Sequence, residues 1–227
     1  MLIGHYAPAL LLKTQAPRFP LWALFIGVEV LDYLWSGFVL AGLEHVRVSP
    51  GINASNALDL YDMPLSHSVV ATVGWSLLGF GVVMWLCRRQ PEQMKYAVVF
   101  GLAVASHFVL DLVVHVRDLP VAGTDSFKLG FGLWNDRVLA LVVETALFVG
   151  SALVLTLSNG WKQRRGWWVL AGTMTVLCVV SFFTPTPPTA AQMALSGLGL
   201  YVLLPIAAWR VEGKLTWGAA LRPGVNK

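Results

Sequence analysis

YAVVFGLAVASHFVLDLVVHV, residues 96–116, decides the fold. These 21 residues, at 1.5 Å rise each, are enough to cross a hydrocarbon core roughly 30 Å thick. Within the run, His107, Asp111 and His115 stand four residues apart. Working outward, apolar stretches of similar length recur, and the spans read as roughly 20–43, 65–87, 96–116, 136–157, 167–184 and 190–210. A shorter apolar piece, residues 2–13, precedes them and cannot span alone. The expected fold is therefore all-α, a polytopic membrane bundle of about six transmembrane helices plus a short N-terminal half-helix. The composition agrees: 56% of the 227 residues are hydrophobic and 12% are charged, about half the charge of an ordinary soluble domain. Mean hydropathy is +0.67. A single integral membrane domain over 1–227 is expected.

The boundaries have local causes. Pro20 starts the first span at a position a helix accepts, Arg88-Arg89 stops the second, and Asn159-Gly160 ends the fourth. Thr184-Pro185-Thr186-Pro187-Pro188 cannot continue a helix and separates the last two spans. The tail after Trp217 is polar and reads as loose. The net charge of +4 does not point to nucleic acid, because Lys and Arg sit in short connections, where topology accounts for them. One side carries Lys13, Arg18, Arg88, Arg89, Lys95, Lys162, Arg164, Arg165, Arg210, Lys214, Arg222 and Lys227; the other has only Arg47, Arg117, Lys128 and Arg137. Both termini are expected on the cytoplasmic side of a bacterial inner membrane. Trp161, Trp167 and Trp168 flank a basic loop as interfacial anchors. The start of the chain lacks a basic n-region and a small-x-small site, so no cleaved signal is expected. Cys87 and Cys178 are far apart and form no Cys-x-x-Cys pair.

Ionisable groups inside a bilayer are expensive, so each is a functional candidate. The last two spans hold none, and residues 146–216 read as scaffold helices. The first four spans hold Glu29, Asp32, His107, Asp111, His115 and Glu144, with His67 at the mouth of the second. Chemistry is therefore expected in residues 1–145. Spacings of four place His107, Asp111 and His115 on one helix face, and imidazole with carboxylate is the ligand set of zinc and other first-row divalent ions. A polar stripe in which His and Asp only hydrogen-bond across helices is the competing reading. If residues 2–13 fold back on the first span near Ala16-Pro17-Arg18, His5, Asp32 and His107 reach the same depth. His67 is a further candidate ligand, His115 and Glu29 are secondary ones, and Glu144 is the candidate general base. Asp59 and Asp62 read as solvated loop residues.

Gly4-His5, Asp32, Ser66-His67-Ser68 and Ser106-His107…Asp111 occur here in that order. The order resembles that of the bacterial YdjM-like membrane-bound metal-dependent hydrolases, over about the first 115 residues. The resemblance implies a metal held by these His and Asp residues and a hydrolytic activity. Two positions depart from it. Family members tend to carry a second acidic residue beside the first Asp and another His ahead of the Ser/Thr-His-Ser; here Tyr33-Leu34 and Asp62 stand in those regions.

Three functions compete. A hydrolase would bind a divalent ion, zinc foremost with manganese or iron as alternatives, and act on a lipid-like or phosphoester/ester substrate reached from the bilayer. A small transporter would use the same His and carboxylates as a proton or cation relay, although no paired halves of the usual kind are visible. A non-catalytic module would keep them as a structural network. The partners expected are the bilayer and a small-molecule or lipid substrate.

Overall fold

The computed structural model describes residues 1–158 and 160–213. Asn159, the polar tail after Trp217 and the basic residues Lys214, Arg222 and Lys227 lie outside the described residues. Eight α-helices account for most of the described chain: α1 (Tyr6–Gln15), α2 (Leu21–Val28), α3 (Val30–Leu40), α4 (Val69–Leu86), α5 (Gln93–Val114), α6 (Arg137–Leu157), α7 (Arg165–Ser181) and α8 (Ala190–Glu212). Helices α4, α5, α6 and α8 are long and apolar enough to cross a membrane, and α2 with α3 makes a fifth candidate bent by 52°. Helix α7, 17 residues long, is shorter. The surface has the character these helices demand. Val70, Val73, Leu77 and Trp85 of α4 are exposed, an apolar face that water would penalise and lipid accepts.

The span read as continuous over 20–43 is broken at Glu29, where the backbone leaves helical angles (φ −108°, ψ 5°). The Glu29 N–H turns back to the Ile26 carbonyl at 3.1 Å, a tightened turn, before Tyr33 resumes the helical pattern on Glu29 O at 2.9 Å. The polar caps are ordinary ones. Ser68 Oγ accepts from Ala71 N at 3.0 Å to start α4, Asp136 Oδ1 from Leu139 N at 3.0 Å to start α6, and Thr189 Oγ1 from Gln192 N at 3.2 Å to start α8.

As expected, residues 2–13 turn back as a half-helix; α1 lies inside the bundle against α2 and α6, with Tyr6, Ala9 and Leu10 buried. Its far end is pinned. Lys13 Nζ donates to Phe19 O at 2.6 Å, to Pro17 O at 2.8 Å and to Glu212, whose other oxygen accepts from Leu21 N at 2.8 Å. This lock ties the end of α8 to the α1–α2 turn.

Two small antiparallel ladders stand in connections read simply as loops. β1 (His45–Val48) pairs with β2 (Leu58–Asp62), and β3 (Leu119–Pro120) with β4 (Lys128–Leu129). Asp59 and Asp62 are held within the first hairpin: Arg47 Nη2 lies 2.8 Å from Asp59, while His45 and Thr124 reach Asp62 at 2.7 and 2.6 Å. The hairpins gather at one end of the bundle, over the polar cluster.

Candidate metal centre

Four separate segments deliver the polar cluster. His5 is the residue before α1, Asp32 lies in the first turn of α3, and His67 precedes the cap of α4. His107 and Asp111 share one face of α5, and His115 ends that helix. All are buried except Asp32, whose side chain keeps 16% exposure toward the cavity described below.

The histidine tautomers follow from their outer partners. His107 Nδ1 lies 2.6 Å from the Val28 carbonyl, which can only accept, so Nδ1 carries the hydrogen. His67 Nδ1 lies 2.8 Å from Ser66 Oγ, and that hydroxyl donates to Glu44 Oε2 at 2.6 Å, so His67 also carries its hydrogen on Nδ1. Glu44 is itself buried and accepts from the backbone of Leu65 and Ser66. In the neutral rings both Nε2 atoms are therefore bare lone pairs, and they face each other at 3.3 Å. Asp32 Oδ1 lies 3.3 Å from His67 Nε2 and 3.5 Å from His107 Nε2; Asp111 Oδ2 lies 3.5 and 3.2 Å from the same two atoms.

Acceptor atoms that face each other in this way repel unless a proton or a metal ion sits between them. The five separations, 3.2–3.5 Å, all exceed the ~2.9–3.0 Å of a good N–H···O bond. They are close to the spacing of about 3.3–3.4 Å between neighbouring ligands of an ion with bonds of ~2.0–2.1 Å. Two overlapping groups, His5–His107–Asp111 and Asp32–His67–His107, could each hold a metal ion. An outer hydrogen-bond partner that fixes each ligating imidazole is the usual support of such a site. Tyr201 adds one more, donating to Asp32 Oδ2 at 2.7 Å.

The residues singled out in the sequence divide clearly. His5, Asp32, His67, His107 and Asp111 are brought together, and the shared depth of His5, Asp32 and His107 is met: the His5 and His107 rings stack at 3.7 Å. His115 stands beside them, Nε2 3.5 Å from Asp111 Oδ1. Glu29 is buried nearby at the α2–α3 break but belongs to neither donor group, and neither of its oxygens has a hydrogen-bond partner. Glu144, the candidate general base, lines the cavity and uses one of its two oxygens to hold the amino-terminal backbone. Its Oε1 accepts from the backbone N–H of Leu2, Ile3 and Gly4 at 2.7, 2.7 and 3.0 Å, which leaves that oxygen no lone pair for a substrate proton. That oxygen holds the chain entering His5. Gly4 is required for this approach, since a Cβ there would lie 2.7 Å from Met1 Sδ and 2.9 Å from Glu144 Cγ.

Sequence reasoning missed Tyr201, Glu44 and Asp118. Tyr201 lies on α8, within the segment read as scaffold. Asp118 accepts from His115 Nδ1 at 2.9 Å, and the spacing His115-x-x-Asp118 was a visible signal for it. A cavity of about 540 Å³ opens onto the cluster, with Asp32, His67 and Asp111 at its polar part and Trp35, Trp134 and Leu200 among its walls. No Lys or Arg of the described residues lines it.

Compared with models of known protein families, with curated proteins and with solved structures, the chain matches none.

Proposed function

We propose that this chain is a membrane-embedded metal-dependent hydrolase whose ion, zinc by preference, is held by Asp32, His67, His107 and Asp111. One observation carries the reading: Asp32 and Asp111, from two segments, each bring a carboxylate oxygen within 3.2–3.5 Å of the facing Nε2 atoms of His67 and His107, the two imidazoles turned inward by outer acceptors. Zinc is favoured by the imidazole and carboxylate donor set, and the order of short motifs resembling the YdjM-like hydrolases supports a metal. When bound, such an ion brings the pKa of water to ~7 and polarises a carbonyl or phosphoryl oxygen. The protein's own residues supply the rest. Ser66, Glu44 and the Val28 carbonyl aim the imidazoles, Tyr201 orients Asp32, and Glu144 fixes the strand that presents His5. The cavity's apolar walls suit a lipid-like ester or phosphoester entering from the bilayer.

In this reading α7 joins the five candidates as a sixth span, the lysines and arginines place both termini in the cytoplasm of a bacterial cell, and the inner membrane is the site of action.

One observation favours a transporter instead: Glu29 is buried without a partner at a broken helix, and broken helices mark ion sites in transporters. The two readings part experimentally. A hydrolase in detergent turns over a lipid ester or phosphoester and loses that turnover on chelation, without any ion gradient. Gradient-dependent flux in sealed vesicles, lost in Asp111→Asn and accompanied by no turnover on a broad ester panel, would replace the hydrolase with the transporter.

A further inference from the structure

The cavity that opens onto the cluster has a charge pattern of its own. Asp32, Asp111 and Glu144 bring three carboxylates to its lining, and no Lys or Arg of the described residues joins them. One divalent ion offsets two of those charges. The cationic groups that do stand there are committed. The Met1 ammonium lies 3.0 Å from Asp111 Oδ1. His115, when protonated, stands between Asp111 and Asp118, at 3.5 and 2.9 Å. Backbone N–H groups at a helix start are another common seat for an anion. Here those of Leu2, Ile3 and Gly4, ahead of α1, are filled by Glu144 Oε1 at 2.7, 2.7 and 3.0 Å. A phosphoryl group would thus enter with nothing beyond the ion to meet its charge, in a site where an unmatched charge is costly. The rest of the lining is neutral. Leu177 and Val180 of α7 and Leu200 of α8 give it apolar wall, while Ser55, Asn56 and Thr186 supply uncharged hydrogen-bonding groups.

We propose that the substrate is an uncharged lipid ester, an acyl chain joined through a carboxylic ester to a hydroxyl-bearing head such as glycerol, and that phosphoesters are excluded by charge. The proposal rests on the hydrolase reading above and narrows it. An ester carbonyl is neutral, so binding it asks for no counter-charge. The chain lies against the α7 and α8 residues, and the head meets Ser55, Asn56 and Thr186. Hydrolysis adds water across the acyl C–O bond. The water oxygen joins the acyl carbon, the alkoxy oxygen leaves with one proton as the alcohol, and the new acid releases the other proton to become a carboxylate. That anionic product is repelled by the same carboxylates that exclude phosphoesters, which favours its release.

The test uses the purified full chain in an uncharged detergent, with and without zinc, and two brominated probes of equal chain length that resist hydrolysis: an alkyl glycerol ether and an alkyl phosphonate. Bromine quenches the indole fluorescence of Trp35 and Trp134, which line the cavity, and so reports binding without turnover. The saturable part of the quenching should shrink in Trp35→Phe, which separates the cavity from tryptophans facing lipid. The ether should bind at least ~10-fold tighter than the phosphonate in both metal states, the direction that like-charge juxtaposition dictates. Leu200→Arg should narrow that ratio. Zinc-loaded protein should release oleate from monooleoylglycerol, lose that turnover on chelation, and leave bis(4-nitrophenyl) phosphate intact. A phosphonate bound as tightly as the ether, or zinc-dependent cleavage of the phosphodiester, overturns the ester assignment and leaves the hydrolase standing. No bound zinc, or bound zinc with no turnover of either substrate, overturns the hydrolase reading and the ester assignment with it. The unaltered chain decides both, so a variant that fails to fold does not blunt the test.

Discussion

Ser66 and Tyr201 each stand one hydrogen bond outside the proposed ligands, on His67 and Asp32. Ser66→Ala and Tyr201→Phe should each leave the protein folded but weaken zinc binding ~10–100-fold, the usual effect of removing an outer partner; competition with a chromophoric chelator measures it. Unchanged affinity in both variants would mean that the inward-facing lone pairs are not organised for an ion. Gly4 gives a second residue-scale prediction. The methyl group of Gly4→Ala meets Met1 Sδ and Glu144 Cγ, so the detergent melt should show a loss on the order of 1–3 kcal/mol, typical of overpacking. A melt equal to that of the unaltered chain would show that Glu144 does not hold residues 2–4. At this scale much of the site was legible in the sequence. His107 and Asp111 share a face by helical period alone, and counting residues from the turn brought His5 to their depth. Tyr201 was not legible, because nothing local distinguishes a tyrosine in an apolar helix from packing, and its partner lies 169 positions away.

At the scale of elements, the Lys13–Glu212 lock joins the α1–α2 turn to the end of α8, with both side chains buried. Lys13→Met leaves Glu212 as an uncompensated buried charge and should cost about 3–5 kcal/mol, whereas replacing both residues by apolar ones should recover most of that loss. Equal destabilisation in the single and double variants would contradict a paired role. The β1–β2 hairpin should respond to acid. The Thr124 hydroxyl, and beyond it His45, hold the Asp62 carboxyl below its ordinary range, against the opposing effect of its partial burial. A carboxyl lowered by folding contributes stability that is complete above its unfolded value, ~3.9, and is lost as pH falls through the lowered folded value. Hydrogen exchange in residues 45–62 should therefore quicken on acidification below about pH 4, and Asp62→Asn should abolish that step. The long apolar helices and the half-helix followed from apolar length, whereas only four or five of the roughly six expected spans are long and apolar enough to cross a membrane. The break at Glu29 did not follow from length, because Leu21–Leu40 is apolar apart from Glu29, Asp32 and Ser36 and contains no proline. The turn arises where the backbone tightens on Ile26 beside a buried carboxylate, a tertiary outcome. The ladders escaped for a related reason: β3 and β4 are two residues each, too short to show a period.

For the whole molecule, the orientation proposed from the distribution of Lys and Arg makes a prediction. A reporter active only in the cytoplasm should work at the C-terminus and fail after Gly123; the reverse would move the cavity mouth to the cytoplasmic face. Burial divides the bundle into two functions. One apolar cluster, including Leu10, Phe25, Phe148 and Trp167, packs α1 and α2 among α6, α7 and α8. A second, including Leu31, Met63, Phe108 and Trp134, surrounds the polar cluster. The first cluster thus presents His5 through α1, while Leu58 and Leu60 of β2 and the α7–α8 connection at residues 184–187 line the cavity beside the donors. Gly130, just after β4, stands at φ +145°, where a Cβ would overlap the Val116 carbonyl. The central claim is that Asp32, His67, His107 and Asp111 hold an ion. X-ray absorption at the zinc edge, on protein purified with its metal, tests it most directly. The account predicts nitrogen and oxygen neighbours alone at ~2.0–2.1 Å, with the outer-shell signature of imidazole, and loss of bound zinc in His107→Ala. A zinc–sulfur distance near 2.3 Å, or full zinc retention in His107→Ala, would contradict it.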